Sequence, residues 1–95
     1  MKVYLTVVLR TKEAYREQVK QTLLDMVRQT RLEPAAELYN LHQGTEDPNV
    51  FTFYETWSDQ AGLDAHNEQP YIKNFGTVAQ EYLADAPLII KTNLI

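Results

Sequence analysis

The eight residues Val50–Trp57, VFTFYETW, constrain this chain more than any other stretch. Successive side chains of an extended backbone point to opposite sides, so Phe51, Phe53, Glu55 and Trp57 share one face. Val50, Thr52, Tyr54 and Thr56 share the other. After Trp57 the period changes: Ser58 offers a helix cap, and His66, Tyr71 and Phe75 follow at helical intervals. A strand-to-helix junction thus gathers a carboxylate, an indole, an imidazole and a phenol. Such a cluster is either a dense aromatic core or the wall of a small-molecule pocket.

The rest of the chain supplies the frame for that junction. Lys2–Arg10 alternates Val3, Leu5, Val7 and Leu9 against Tyr4, Thr6 and Val8, which reads as a strand and not as a signal peptide. Thr11 is positioned to cap a helix over about Lys12–Arg31, with Tyr15, Val19, Leu23, Met26, Val27 and Thr30 on its apolar stripe. Glu33-Pro34 stops it, since the residue before proline is pushed out of the helical region. Glu37–Gln43 forms a second strand, with Tyr39 and Leu41 opposite Leu38, Asn40 and His42. Gly44–Asn49 (GTEDPN) is a polar turn joining it to Val50–Trp57 as a hairpin. A short helix over Asp59–His66, a longer one from Pro70 to about Tyr82 and a strand over Leu88–Ile95 complete the order β-α-β-β-α-β.

That order predicts an α+β, ferredoxin-like domain: one antiparallel four-stranded sheet with helices on one face. The 95 residues make a single domain with a large surface relative to its core. Because strands one and three are apolar or aromatic on both faces, the face away from the helices needs a cover. A second copy of the chain, packed sheet to sheet, is the economical one.

Composition removes several function classes. The net charge is −4 and the nine Lys and Arg are scattered, so neither nucleic acid nor an anionic membrane is an expected partner. The absence of Cys excludes disulfides, thiol nucleophiles and thiolate metal sites, and fits the cytoplasm. Two His far apart give no metal-ligand spacing, and three Gly form no phosphate loop.

Among the candidate site residues Glu55 is the anomaly. Sharing a face with Phe51, Phe53 and Trp57 desolvates it and raises its pKa, as a general base requires; the alternative is a structural carboxylate paired with an Arg or a backbone donor. His66 is either a proton-transfer group or a satisfied core residue. His42, beside Asn40, reads as a solvent-facing strand residue. Trp57 and Tyr71 are candidates to stack on a planar ligand, with Phe51, Phe53 and Asn40 as further substrate-binding candidates; Phe75 reads mainly as core. Ser58 has no His and carboxylate at a spacing that would activate it.

The run Glu33–Phe75 resembles the antibiotic biosynthesis monooxygenase domain family. Glu55, Trp57, Leu63, His66, Tyr71 and Phe75 occupy the positions of that family's Glu-x-Trp strand end, Leu-x-x-His helix and aromatic stretch. The resemblance implies two ferredoxin-like subunits forming a dimeric α/β barrel, each with a pocket between sheet and helices. It also implies, for some members, oxidation of quinols or polyphenols by molecular oxygen with no metal, flavin or other cofactor. In such chemistry His66 or Glu55 deprotonates the substrate, and Trp57, Tyr71, Phe51 and Phe53 line or support the pocket. Heme-degrading relatives place an axial His on the helix after Tyr71 and an Asn on the first strand. Here the helix offers Asn74, Phe75 and Gly76 but no His, and the first strand has no Asn, which disfavours heme cleavage. Two other functions stay open: an isomerase acting on a phosphorylated signalling sugar, and a non-catalytic dimeric module binding an aromatic ligand.

Overall fold

The computed structural model describes all 95 residues. Strand β1 (Val3–Arg10) leads through a short 3-10 turn (Glu13–Tyr15) into helix α1 (Arg16–Thr30). Strands β2 (Ala36–Gln43) and β3 (Val50–Trp57) form a hairpin, followed by helices α2 (Gln60–Asn67) and α3 (Pro70–Tyr82) and strand β4 (Leu88–Thr92). All pairings are antiparallel, in the order β2-β3-β1-β4. This is the ferredoxin-like arrangement that the element order predicts, with the α-helices on one face.

Alternation decides what that face buries. Leu5, Val7 and Leu9 of β1 stand in register with Glu55, Phe53 and Phe51 of β3, and all six are buried. The α1 stripe Val19, Leu23, Met26, Val27 and Thr30 closes over them at helical spacing. The opposite face leaves Leu38, Tyr54, Leu88 and Ile90 exposed. They lie on β2, β3 and β4 of that face, with Thr6 and Val8 of β1 between the β3 and β4 residues. No helix is long and apolar enough to cross a membrane.

Several local expectations are corrected. Thr11 does not cap a helix: its side chain is buried with an unpartnered Oγ1, while its N–H donates to Asn49 and its backbone bridges Leu83. The α-helix therefore begins only at Arg16. Ser58 does not cap α2 either, because its N–H and hydroxyl are both engaged by the Ala35 carbonyl. Asp59 is the cap, accepting from the Gly62 N–H at 2.8 Å. Strand β4 stops at Thr92, which pairs with Tyr4 of β1, and not at Ile95. Pro70 opens α3 at its first turn, where its missing N–H costs nothing.

Candidate active site

The site is built on one transverse row of the inner sheet face: Tyr39, Glu55, Leu5 and Lys91, contributed by β2, β3, β1 and β4. Glu55 is only 6% exposed. The indole N–H of Trp57, two residues on and hence on the same face, donates to Glu55 Oε1 at 2.9 Å. Burial pushes the Glu55 carboxyl up to about 7, a shift that this one hydrogen bond only partly offsets. Its partner is thus an indole and not the Arg or backbone donor that a structural carboxylate was expected to find. Burial, and then the Glu55 charge, hold the neighbouring Tyr39 hydroxyl protonated well above the ordinary phenol range.

His66 arrives from above, at the end of α2. It is buried, with its ring 4.5 Å from the Trp57 ring and 5.6 Å from that of Tyr39. Its Nδ1 lies 2.7 Å from Glu33 Oε2. The Tyr71 hydroxyl donates to the same oxygen. That hydroxyl is pushed up to about 12, by burial first and the Glu33 bond second. A carboxylate oxygen accepts, so the tautomer that satisfies the Glu33 contact carries its proton on Nδ1 and a lone pair on Nε2.

Local sequence explains why α2 sits where it does. A Cβ on Gly62 would lie 2.2 Å from Ala35 Cβ, so only glycine lets α2 lie directly on the segment after α1. Ser58 fastens the same segment through the Ala35 carbonyl. Together these bring Glu33 alongside His66, 33 residues away in sequence.

Glu55 and His66 line two adjoining cavities. The outer one, about 530 Å³, has Leu5, Val7, Ile89 and Lys91 beneath and Gln60, Leu63 and Asn67 above. The inner one, about 200 Å³, is walled by Leu9, Met26, Phe53, Ile72 and Phe75. Val7, Glu55, His66 and Ile89 border both. Gly76 also borders the inner chamber, and a Cβ there would meet nothing within 4 Å. The arrangement is an apolar chamber with an imidazole, a carboxyl whose pKa burial raises to about 7 and a polar mouth.

The expected site residues thus separate into groups. Glu55, His66 and Phe53 face the cavities. Trp57 and Phe51 are almost wholly enclosed and support the site from behind. Tyr71 borders instead a surface groove with Glu33 and Gln69, and shares the Glu33 oxygen that contacts His66. Asn40 is on the outer-face row with Tyr54 and accepts from Arg31 at 3.1 Å. Sequence reasoning missed Glu33, which read only as a helix stop, and Lys91, which read as one of the scattered cations.

Comparison with known proteins agrees with this architecture. The family model described as "Antibiotic biosynthesis monooxygenase" matches residues 2–77. A Bacillus subtilis (strain 168) protein named "Putative monooxygenase YcnE" is 28% identical over 93 residues, covering 97% of each chain. Among solved structures, PA3566 from Pseudomonas aeruginosa superposes with a TM-score of 0.93 at 22% identity, covering 99% of this chain and 94% of that one. Rv0793 from Mycobacterium tuberculosis gives a TM-score of 0.93 at 18% identity, covering 100% and 96%. At these identities the two structures speak for the fold alone, while the family match spans most of the sequence. From its fold and its sequence, the chain belongs to the antibiotic biosynthesis monooxygenase family.

Proposed function

We propose that this protein is a cofactor-independent monooxygenase that oxidises a small quinol-like or polyphenolic compound with molecular oxygen. The observation that carries this reading is the convergence of Glu55 and His66 on one largely apolar cavity. His66 Nε2 takes a proton from a ring hydroxyl, and Glu33 holds the imidazole in the tautomer able to do so. The resulting electron-rich anion reduces oxygen. One oxygen atom enters the ring and the other leaves as water, so that quinol plus O₂ gives hydroxyquinone plus water. Glu55, titrating near neutrality, is suited to return a proton to the departing oxygen. The apolar walls keep bulk water from the reactive anion.

The proposal includes a homodimer formed by the outer sheet face, supported by the exposed Leu38, Tyr54, Leu88 and Ile90. A monomer at micromolar concentration in size-exclusion chromatography would remove that part. The lack of cysteine fits action in the cytoplasm. Oxygen uptake measured with a panel of dihydroxyaromatics tests the reaction. Uptake with hydroxyquinone formation is the expected result. Turnover without uptake would assign the isomerase alternative, and thermal stabilisation without turnover the binding module.

A further inference from the structure

The outer cavity is not uniformly apolar. Lys91 borders its mouth, and its Nζ donates to the Gln60 side-chain carbonyl at 2.7 Å. No carboxylate lies within ion-pair distance of this ammonium, as is also true of Lys12, Lys20 and Arg31, whereas Lys2, Arg10, Arg16, Arg28 and Lys73 each have at least one. The only acidic residue lining the cavity is Glu55. Lys91 and Gln60 also border the adjoining cavity, which contains no acid at all. The mouth therefore carries a positive charge with no direct ion-pair partner, held by the Gln60 carbonyl, while the Gln60 amide nitrogen donates to the exposed Asp64 at 2.9 Å.

The sheet register sets the distance between this charge and the reactive end. Glu55 and Lys91 occupy the same transverse row with only Leu5 of β1 between them. Two strand spacings make the separation of their backbones about 10 Å. That span suits one aromatic ring carrying a short side arm.

We propose that Lys91, positioned by Gln60, forms an anion subsite, and that the substrate is a phenolic aromatic bearing a carboxylate on an arm remote from the reacting hydroxyl. This inference rests on the site proposed above for its reactive end, but binding tests it without any turnover. The ring enters between Val7, Ile89 and Leu63, its hydroxyl reaches Glu55 and His66, and its carboxylate stays at the mouth.

Anaerobic titration calorimetry at low salt, with dihydrocaffeate and its neutral amide as probes, decides the matter. The two differ only in charge at the end of the arm. The carboxylate should bind about three- to fivefold more tightly than the amide, the range of a solvent-accessible ion pair. The gap should vanish in Lys91→Gln, persist in Lys91→Arg and shrink in about 0.5 M salt. Equal affinities in the wild type, a gap that survives Lys91→Gln, or no binding of either probe would overturn the subsite. Oxygen uptake is scored separately. A Lys91-dependent carboxylate preference without uptake keeps the subsite and removes the oxygenase reading, whereas uptake with equal affinities does the reverse.

Discussion

Strands β3 and β4 send side chains to the same inner sheet face, yet they meet opposite conditions. Phe51, Phe53, Glu55 and Trp57 of β3 are all buried, while Ile89 of β4 is 62% exposed. Helix α1 and the close approach of α2 at Gly62 seal the β3 side, and no helix packs as tightly on β4. One face is therefore half core and half cavity, with Glu55 and His66 at the seam. The difference shows how a small domain places a functional carboxyl: the sealed half supplies the desolvation, and the open half supplies access for substrate. Most of the stability should reside in the first half and most of the binding in the second.

Truncation separates the halves most sharply. Trp57→Ala should cost about 4 kcal/mol, as expected for an enclosed aromatic, and lower the melting temperature by roughly 20 °C. Ile89→Ala should cost less than about 1 kcal/mol. Equal costs in thermal melts would erase the distinction.

Glu55 marks the seam in a pH profile. Its pKa of about 7 in the folded chain lies above the 4.5 of an ordinary carboxyl in the unfolded chain, so the native state holds the proton more tightly. Its contribution is fully present below about pH 4.5 and is lost as pH rises through 7, to the order of 3 kcal/mol. Glu55→Gln should flatten that part of the profile in denaturant titrations. An unchanged slope would show that Glu55 is not desolvated as described.

Glu33 bears on the same seam from behind. Glu33→Gln removes the charge that orients His66 and should lower turnover about tenfold to a hundredfold, with the pH optimum of the rate displaced. A reduced melting temperature with an intact rate and pH profile would make Glu33 merely structural. The smallest effect belongs to Gly76. It lies within α3 facing open space, so Gly76→Ala should stabilise by about 0.5–1 kcal/mol through helix propensity. Gly76→Leu should fill the inner chamber and reduce binding. Destabilisation by the alanine would mean that the chamber is closed.

The parity of VFTFYETW made the sealed half legible, because alternation fixes a strand's face without knowledge of its neighbours. It identified Glu55 as buried among aromatics, and the same parity already placed Asn40 opposite Tyr39. What parity does not reveal is which end of a face remains open. For this reason Trp57, expected at a pocket wall, proved to stand behind it. Glu33 was illegible for another reason: its partner His66 is brought to it by tertiary packing at Gly62 and Ala35. Tyr71 shows both limits, since its helical position was correct while its hydroxyl meets Glu33 and lines neither cavity.

In the proposed reaction, proton abstraction at the seam drives oxygen chemistry. Oxygen uptake with a dihydroxyaromatic substrate, compared between the wild type and a His66→Gln variant shown by circular dichroism to be folded, tests it most directly. The account predicts uptake by the wild type and a loss of about a hundredfold or more in the variant. Equal uptake by the two proteins would contradict it.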